Sequence, residues 1–306
     1  ERHLNSTLLF DAMKIVVTIP AYNEEKTIGA LINSVHGVMK SCRYDYEVLV
    51  VDDGSKDGTV QAAKKANAVV YSHPKNYGLA EAFKTEVEKS LDLGADIIVH
   101  IDADTQYKAE EIPKLIKEIE NGYDLVLGSR FKGTIESMPL MKKIGNIAFS
   151  KVISNITGME ISDAQTGFRA FTRRVAESIK ITSGHTYTQE QIIRAVREKF
   201  RIKEVPVYFA KRKDKSRLIS NPFDYAIRAW INIIRIYRDY EPLKFFGIIG
   251  TLIFSAGFLL GLYLSYVQIF GEGVNRHLGL MMLDILILSI GLQIIIFGFL
   301  ADMSRK

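Results

Sequence analysis

The chain has 306 residues, of which 47% are hydrophobic, 25% are charged and 10% are aromatic. Its mean hydropathy of +0.06 excludes a bundle of many membrane spans, and its composition excludes a disordered or collagen-like chain. The net charge of +5 does not come from basic residues interleaved with aromatic ones, so we expect no nucleic-acid partner. The single Cys42 cannot form an intramolecular disulfide, which fits a reduced compartment.

Predicted strands and helices alternate from Lys14 onward. Short apolar runs predict strands over Ile15–Ile19, Tyr46–Val51, Val69–Tyr71, Ile97–Ile101, Leu125–Leu127, Gly167–Phe171 and Arg201–Phe209. Apolar residues at helical spacing predict helices over Glu25–Lys40, Thr59–Ala66, Leu79–Leu93, Glu110–Glu120, Leu140–Ile156 and Thr188–Phe200. This order predicts an α/β fold with a mostly parallel sheet, helices on both faces and ligands at the carboxyl ends of the strands. Residues 1–12 are expected to be a tag or disordered extension before a natural start at Met13.

The C-terminal part of the sequence predicts a membrane anchor. An amphipathic helix over Asn221–Asp239 carries an apolar stripe and several arginines, and we predict that it lies on the bilayer surface. Phe245–Phe270 and Leu280–Ala301 are each long enough to cross a bilayer, and the short loop between them makes them a hairpin. Basic residues flank both ends of this hairpin, so we predict an integral membrane protein whose termini and catalytic domain are cytoplasmic. Asp284, inside the second span, is expected to have a structural rather than a catalytic role.

The predicted domains are therefore a catalytic domain at residues 13–218, an interfacial helix at 219–243 and a hairpin at 244–306.

Polar motifs follow three of the predicted strands, at the edge where ligands are expected. They are PAYNEE at Pro20–Glu25, DDGSKDGT at Asp52–Thr59 and DADTQ at Asp102–Gln106. None is a glycine-rich dinucleotide fingerprint or a Walker loop, so neither a dehydrogenase nor a common ATPase is expected. Alternation along an extended segment predicts that Asp102, Asp104 and Gln106 point to one side. Their oxygens would bind Mg²⁺ or Mn²⁺, which in turn would hold a diphosphate.

These motifs resemble those of the second family of inverting glycosyltransferases. The resemblance rests on PAYNEE, VVDDGSKDGT (Val50–Thr59), NYGLAEA (Asn76–Ala82) and HIDADTQYKAEEIPKL (His100–Leu115). Within that family the chain resembles the polyprenyl-phosphate branch, which includes dolichol-phosphate mannose synthases and undecaprenyl-phosphate glucosyltransferases. The supporting segments are GSRF (Gly128–Phe131), DAQTGFRAFTR (Asp163–Arg173), HTYTQE (His185–Glu190) and EVPVYFAKRKDKSRL (Glu204–Leu218).

The resemblance implies a glycosyltransferase A-type catalytic domain and gives roles to individual residues. The nucleoside would be held by Pro20, Tyr22, Glu24, Val51 and Asp53. Asp102 and Ala103 would lie against the ribose and diphosphate, and Asp104 with Gln106 would ligate the metal. Phosphates would be bound by Arg130, Lys211 and Arg217, and the sugar or acceptor would be oriented by Asp163 and Gln165. A structural role for Asp163 is equally open, and the lysines of the basic loop that contains Lys211 could instead contact anionic lipid headgroups.

The implied activity is a metal-dependent, inverting transfer of a sugar from a nucleotide-sugar donor to a membrane polyprenyl (dolichyl-type) phosphate. GDP-mannose, UDP-glucose and UDP-N-acetylglucosamine all stay open as donors, because DAQTGFR and HTYTQE depart from the patterns of mannose synthases.

Two alternative functions stay open, and so does association with a second copy of the chain. A processive membrane polysaccharide synthase would carry a Gln-x-x-Arg-Trp motif, which is not found around Trp230. An inactive, membrane-tethered scaffold that binds sugar nucleotides is disfavoured because both Asp102 and Asp104 are retained. The two-helix anchor could also associate into a homo-oligomer.

Overall fold

The computed structural model describes residues 13–42, 44–182, 187–211, 231, 233–271 and 277–304. The chain divides into two compact units, Glu1–Pro222 and Phe223–Lys306. The described strands of the first unit are β1 (Lys14–Ala21), β2 (Asp45–Asp52), β3 (Val69–Ser72), β4 (Ile97–His100), β5 (Leu125–Ile135), β6 (Arg169–Thr172) and β7 (Ile202–Phe209). Its described α-helices are α1 (Ile28–Ser41), α2 (Thr59–Lys65), α3 (Leu79–Asp92), α4 (Ile112–Glu120), α5 (Leu140–Thr157), α6 (Arg173–Ser178) and α7 (Tyr187–Arg197).

The seven strands form one sheet in the order β3-β2-β1-β4-β6-β5-β7. β6 is antiparallel to β4 and β5, whereas the remaining neighbours pair in parallel. The carboxyl ends of β1, β2 and β4 therefore lie along one edge of the sheet, together with the N-terminal end of β6. The predicted mostly parallel α/β sheet is confirmed, and ligand binding at this edge stays a prediction.

Apolar burial on both faces holds the sheet. All but the first residue of β1 is buried, as expected of a strand covered on both sides. One face packs on α1 and α4, whose buried residues recur at helical spacing: Ile28, Leu31, Ile32, Val35 and Met39 on α1, and Ile112, Leu115, Ile116 and Ile119 on α4. α3 also contacts β1 and β2, through residues outside this core cluster, which places α3 on the opposite face.

Apart from shifts of a few residues at element ends, three differences from the predicted elements bear on the site. β4 ends at His100, and a turn with Thr105 at a φ of +59° follows it. β5 continues beyond the predicted end at Leu127 as far as Ile135, because it pairs with β7 across an irregularity in register. The six-residue α6 was not predicted, since so short a helix spans too few turns to show a periodic pattern.

The second unit has helical residues at 231 and 233–240, followed by α8 (Pro242–Phe270) and α9 (Leu278–Met303). Both long helices are long and apolar enough to cross a membrane, in agreement with the two predicted spans. Most of the predicted interfacial helix, including Trp230, lies outside the described residues.

Glycines bring α8 and α9 into close contact. A Cβ added at Gly291 would lie 2.6 Å from the backbone nitrogen of Phe254, and one added at Gly250 would lie 2.8 Å from the carbonyl oxygen of Gly291. Small residues let membrane helices approach until their backbones touch. The two helices therefore form the closely packed hairpin that the short loop predicts.

Asp284 lies in this helix contact. A Cβ added at Gly261 would lie 3.2 Å from its Oδ2 atom, and its Oδ1 atom is buried with no hydrogen-bond partner among the described residues. The carboxyl group lines a cavity of about 550 Å³ together with Ser265 and Gln268. The contacts of Asp284 are thus within the hairpin, and its structural role stays a prediction.

Candidate active site

The loops that follow β1 and β2 are joined by hydrogen bonds that involve their backbones. The Asn23 N–H donates to Ser55 Oγ at 2.8 Å, and the Lys56 N–H donates to Asn23 Oδ1 at 2.8 Å. The Glu24 N–H donates to Thr59 Oγ1, also at 2.8 Å. Asn23 has a φ of +56°, a conformation that asparagine tolerates better than most residues. The two motifs predicted from sequence therefore form one rigid rim at the carboxyl edge of the sheet.

Asp53 anchors a third loop to this rim. Its Oδ1 atom accepts hydrogen bonds from His73 Nδ1 at 2.8 Å and from the Tyr77 N–H at 2.9 Å. Its Oδ2 atom accepts from the Gly78 N–H at 2.8 Å. Because both carboxylate oxygens already have partners in the chain, Asp53 fixes the position of the NYGL loop. Direct contact of Asp53 with a nucleoside stays a prediction.

Other residues predicted to hold the nucleoside lie at the same edge. Pro20 and Val51 are buried strand residues that pair in register at the ends of β1 and β2. Tyr22 follows them and is 37% exposed. Glu24 is half-buried, and its Oε2 atom accepts a hydrogen bond from Thr27 Oγ1 at 2.9 Å. An exposed ring above a buried strand end is a suitable surface for stacking a base.

The segment after β4 is a turn, so the alternation argument for Asp102, Asp104 and Gln106 was wrong about the backbone. The strand ends before Asp102, and the Gln106 N–H donates to Asp104 Oδ1 at 3.1 Å, closing a short turn. Gln106 is buried, and its Nε2 atom donates to the carbonyl of Ala210 at 3.1 Å. The turn keeps the three side chains within one short loop, while the Gln106 amide ties that loop to the end of β7.

Asp102 is surrounded by positive charge. Its Oδ1 atom is 3.6 Å from His100 Nε2, and a Cβ at Gly167 would lie 2.5 Å from its Oδ2 atom. Burial opposes ionisation, but His100, Arg130 and Arg169 outweigh it and hold the pKa of Asp102 below its usual value. Asp102 is therefore an anion at neutral pH, and Gly167 of DAQTGFR is needed because any larger side chain would displace the carboxylate.

Arg130 and Asp163 form a buried, two-pronged ion pair. Arg130 Nε donates to Asp163 Oδ2 and Nη2 donates to Oδ1, both at 2.7 Å. Arg130 is 5% exposed and Asp163 is fully buried. The Asp163 N–H in turn donates to Glu204 Oε1 at 3.0 Å. Asp163 thus holds the guanidinium in one orientation, which agrees with the structural role left open for it.

A buried polar cluster lies behind Asp102. His100 Nδ1 is 2.6 Å from Glu86 Oε2, and His100 Nε2 is 3.0 Å from the Tyr187 hydroxyl. Burial tends to lower the pKa of His100, but the Glu86 and Asp102 carboxylates raise it to about 9. Arg169, fully buried, stacks on Tyr187 with its guanidinium carbon 5.4 Å from the ring centre.

Sequence reasoning missed this cluster. The available signal was His100 itself, a polar residue that ends an otherwise apolar and fully buried strand.

α5 has apolar residues on two faces, a second feature that sequence reasoning missed. One face is buried, and the other exposes a stripe made by Leu140, Ile144 and Ile147, with exposed fractions of 70%, 52% and 48%. The adjoining cavity of about 800 Å³ is lined by four basic side chains, Arg130, Lys132, Lys143 and Lys151, and by the carboxylates of Glu160 and Glu204. An exposed apolar stripe beside basic side chains is typical of a surface that contacts lipid. Counting the apolar residues of each helix face separately would have revealed the exposed stripe in the sequence.

The donor atoms of the DADTQ turn fit a magnesium or manganese ion. Such ions bind through one or two carboxylates and complete their coordination with water and substrate phosphates. Asp102 and Asp104 supply two carboxylates, and the Oε1 atom of Gln106 is a third hard oxygen. Among the described residues no group of three His, Cys, Asp or Glu side chains could hold a metal alone, so phosphate oxygens would have to complete the site.

The remaining predicted site residues are placed as follows. Ala103 is buried within the turn and Gln165 is half-buried beside Gly167. Lys211 is exposed, and its N–H donates to Glu136 Oε2 at 2.7 Å. Arg217 lies outside the described residues, so its predicted phosphate contact stays a prediction.

Comparisons with known proteins agree with this geometry. The family model described as "Glycosyl transferase family 2" matches residues 16–180. The chain is 34% identical to a UDP-N-acetylglucosamine–dolichyl-phosphate N-acetylglucosaminyltransferase of Methanococcus voltae, over 63% of this chain and 84% of that protein. It is 33% identical to a dolichyl-phosphate hexose transferase of Haloferax volcanii, over 68% of this chain and 87% of that protein.

A longer alignment reaches the C-terminal helices. The chain is 27% identical to an undecaprenyl-phosphate 4-deoxy-4-formamido-L-arabinose transferase of Photorhabdus laumondii, over 94% of this chain and 88% of that protein. These names confirm the predicted resemblance to the polyprenyl-phosphate branch.

The fold has close structural neighbours as well. Glucosyl-3-phosphoglycerate synthase from Mycobacterium tuberculosis, crystallised with Mn²⁺, uridine diphosphate and phosphoglyceric acid, superposes with a TM-score of 0.60. The sequence identity is 19%, and the match covers 76% of this chain and 80% of that one. This likeness confirms the glycosyltransferase A-type fold. The chain belongs to glycosyl transferase family 2 and is an enzyme of that family.

Proposed function

We propose that this protein catalyses the metal-dependent, inverting transfer of a sugar from a nucleotide-sugar donor to a polyprenyl phosphate at a membrane. The observation that carries the proposal is one shared sheet edge. The DADTQ turn and the Arg130–Asp163 pair meet there at the end of β7, because Gln106 bonds the carbonyl of Ala210 and the Arg130 guanidinium carbon lies 5.2 Å from the ring centre of Phe209. The same chain continues into two helices that are long and apolar enough to cross a membrane.

The donor would bind at the rim formed by the loops after β1 and β2. Tyr22 would stack on the base, and Asp102 would face the ribose and diphosphate. Asp104 and Gln106 would hold Mg²⁺ or Mn²⁺ against the diphosphate, and that ion would supply positive charge to the departing nucleoside diphosphate. The relatives support a nucleotide-sugar donor, and that from Methanococcus voltae is named for UDP-N-acetylglucosamine.

The acceptor needs little chemical activation. A phosphate monoester has a second pKa of about 6, so its oxygen is already a dianionic nucleophile at neutral pH. The main tasks of the enzyme are to bring two polyanions together and to offset their repulsion. Arg130, held by Asp163, presents a fixed guanidinium for this purpose. Attack in line with the leaving diphosphate would invert the anomeric carbon.

The lipid chain of the acceptor would approach over α5. Its exposed stripe at Leu140, Ile144 and Ile147 offers apolar contact, and the neighbouring basic cavity includes Arg130. Lys211 and Arg217 would add positive charge for the lipid phosphate or for anionic headgroups. Basic residues at both ends of the hairpin favour a cytoplasmic catalytic domain with both termini on that side.

The test is a transfer assay with the full chain in detergent or vesicles. GDP-mannose, UDP-glucose and UDP-N-acetylglucosamine would each be supplied with a short polyprenyl phosphate and either Mg²⁺ or Mn²⁺. We expect one donor to give a single polyprenyl-phosphate sugar of inverted anomeric configuration, detected by NMR. Products with several sugars would indicate a processive synthase. Binding of a nucleotide without transfer from any donor would indicate the scaffold alternative.

A further inference from the structure

Glu86 and His100 are charged or polar groups in a place where the fold does not require them. Glu86 lies on α3 and His100 on β4, and both side chains are fully buried. The Glu86 Oε1 atom has no hydrogen-bond partner among the described residues. Replacing a buried ion pair by apolar residues of similar volume is often neutral or stabilising in proteins, because burying charge carries a large desolvation cost. A purely structural explanation therefore accounts poorly for this pair.

The pair is aimed at the active site. Glu86 holds His100 through Nδ1 at 2.6 Å, which turns Nε2 toward the carboxyl end of the strand. There Nε2 meets the Tyr187 hydroxyl at 3.0 Å and Asp102 Oδ1 at 3.6 Å. Tyr187 is itself fixed, because its ring stacks on Phe83 with 4.2 Å between ring centres.

The Asp102 carboxylate also lies in the field of two buried guanidinium groups, those of Arg130 and Arg169. Its Oδ2 atom is pressed toward Gly167, where no side chain can hold it, and the turn that follows leaves the sheet after His100. His100 is the group that β4 itself brings to 3.6 Å from the Oδ1 atom, so it contributes to the orientation of the carboxylate alongside the two arginines.

We propose that Glu86, His100 and Tyr187 form a positioning relay that holds the Asp102 carboxylate in the orientation needed for the donor diphosphate and its metal. The inference rests on the proposed function, since it gives Asp102 its donor role. Residues behind a ligand typically change metal affinity or activity about 10- to 100-fold when they are altered. His100 does not touch the substrate in this scheme, so it is a positioning residue.

Two matched variants separate the ends of the relay. In His100→Asn the amide nitrogen takes the place of Nδ1, which keeps the Glu86 contact and removes the Asp102 contact. In His100→Gln the amide nitrogen takes the place of Nε2, which keeps the contacts with Asp102 and Tyr187. Both variants lose the ring, so they lose similar packing. His36→Asn is the control, because His36 bonds Tyr46 and the Ala66 carbonyl away from this edge.

The primary measurement is the calorimetric affinity of the full protein for UDP and for GDP with MnCl₂. A melting curve accompanies it, and kcat and KM follow where transfer is observed. For His100→Asn we expect affinity to weaken about 10- to 100-fold with a loss in kcat. For His100→Gln we expect a smaller loss, because this variant keeps the contact with Asp102 and gives up only the contact with Glu86. His36→Asn should match the wild type.

Equal affinities in His100→Asn, His100→Gln and the wild type would overturn the relay, whatever their melting temperatures. If both variants fail to fold, Glu86→Gln and Tyr187→Phe keep the shape of the cluster, and unchanged affinity in both would overturn it as well. Nucleotide binding by the wild type without sugar transfer would overturn the proposed function alone. No metal-dependent binding of either nucleotide would overturn both.

Discussion

The sheet edge of the first unit and the helix contact of the second unit are both tightly packed, but by opposite means. At the sheet edge, buried ions hold one another, as in the Arg130–Asp163 pair with its two 2.7 Å hydrogen bonds. In the hairpin, the contact positions Gly291 and Gly250 have no side chains, so the two helix backbones lie in direct contact. Buried ions fix directions in space at a high desolvation cost, whereas glycines allow close approach without directional bonds. The chain therefore uses charge at the sheet edge, where the proposed substrates are polyanions, and small residues where two apolar helices pack together.

Removing the carboxylate of Asp104 should have the largest effect at the charged edge. Asp104→Ala takes away one predicted metal ligand and the acceptor of the Gln106 N–H. We expect transfer to fall at least about a hundredfold, the scale of losing one electrostatic contact to a transition state. The measurement is initial rate with saturating Mn²⁺. Asp92→Ala is the control, because Asp92 is exposed and pairs only with Lys89 among the described contacts. Full activity of the Asp104 variant would contradict the assignment.

Breaking the Arg130–Asp163 pair should reduce both stability and turnover. Arg130→Ala leaves the fully buried Asp163 without its guanidinium, so we expect about 3 kcal/mol less stability for the first unit. Chemical denaturation monitored by circular dichroism measures this loss.

The matched control is Arg174→Ala. Arg174 bonds Asp124 at 3.0 Å, but its side chain is 68% exposed, and exposed pairs contribute less than about 1 kcal/mol. Equal losses in the two variants would show that burial does not distinguish these pairs.

Enlarging a glycine in the hairpin should have a smaller effect on stability than breaking the buried ion pair. In Gly291→Leu the new Cβ would lie 2.6 Å from a backbone atom of α8, which cannot move aside as a flexible side chain would. We expect a cost of about 1–3 kcal/mol, seen as a lower melting temperature of the detergent-solubilised protein. Gly279→Leu is the control, since a Cβ there has no neighbour within 4 Å. A Gly291 variant as stable as this control would show that the helices are not in contact.

The sequence predicted the elements of the first unit well, because long apolar runs and helical periodicity depend only on local pattern. It predicted the motif positions for the same reason, since PAYNEE and DDGSKDGT follow strand ends that the pattern locates. The direction of β6 could not be predicted, because the sequence of a four-residue strand does not show on which side its neighbours run parallel or antiparallel. The turn after His100 was missed because Thr105 adopts a positive φ, which threonine rarely does.

The partners of the site residues were the least predictable part. The sequence alone does not show that both carboxylate oxygens of Asp53 accept hydrogen bonds from His73 and the NYGL loop. Nor does it show that Asp163 forms an ion pair with Arg130. These pairings join residues 20 to 33 positions apart through the packing of the sheet. Glu86 and His100 meet across α3 and β4 for the same reason. Sequence motifs therefore locate a candidate catalytic edge, while the contacts that orient its side chains depend on tertiary packing.

The smallest predicted effect concerns the exposed apolar stripe of α5. In Ile144→Asp a side chain that is already 52% exposed becomes charged, so the fold should lose little stability. If the stripe contacts the lipid acceptor, transfer to a long polyprenyl phosphate in vesicles should fall about threefold to tenfold, because one apolar contact with lipid is replaced by a carboxylate. Transfer to a short, soluble acceptor should stay near the wild-type rate. Val69→Asp, at a residue 44% exposed on the edge strand β3, is the control. An equal loss with both acceptors would place the stripe outside the lipid path and leave only the charged edge to select the substrate.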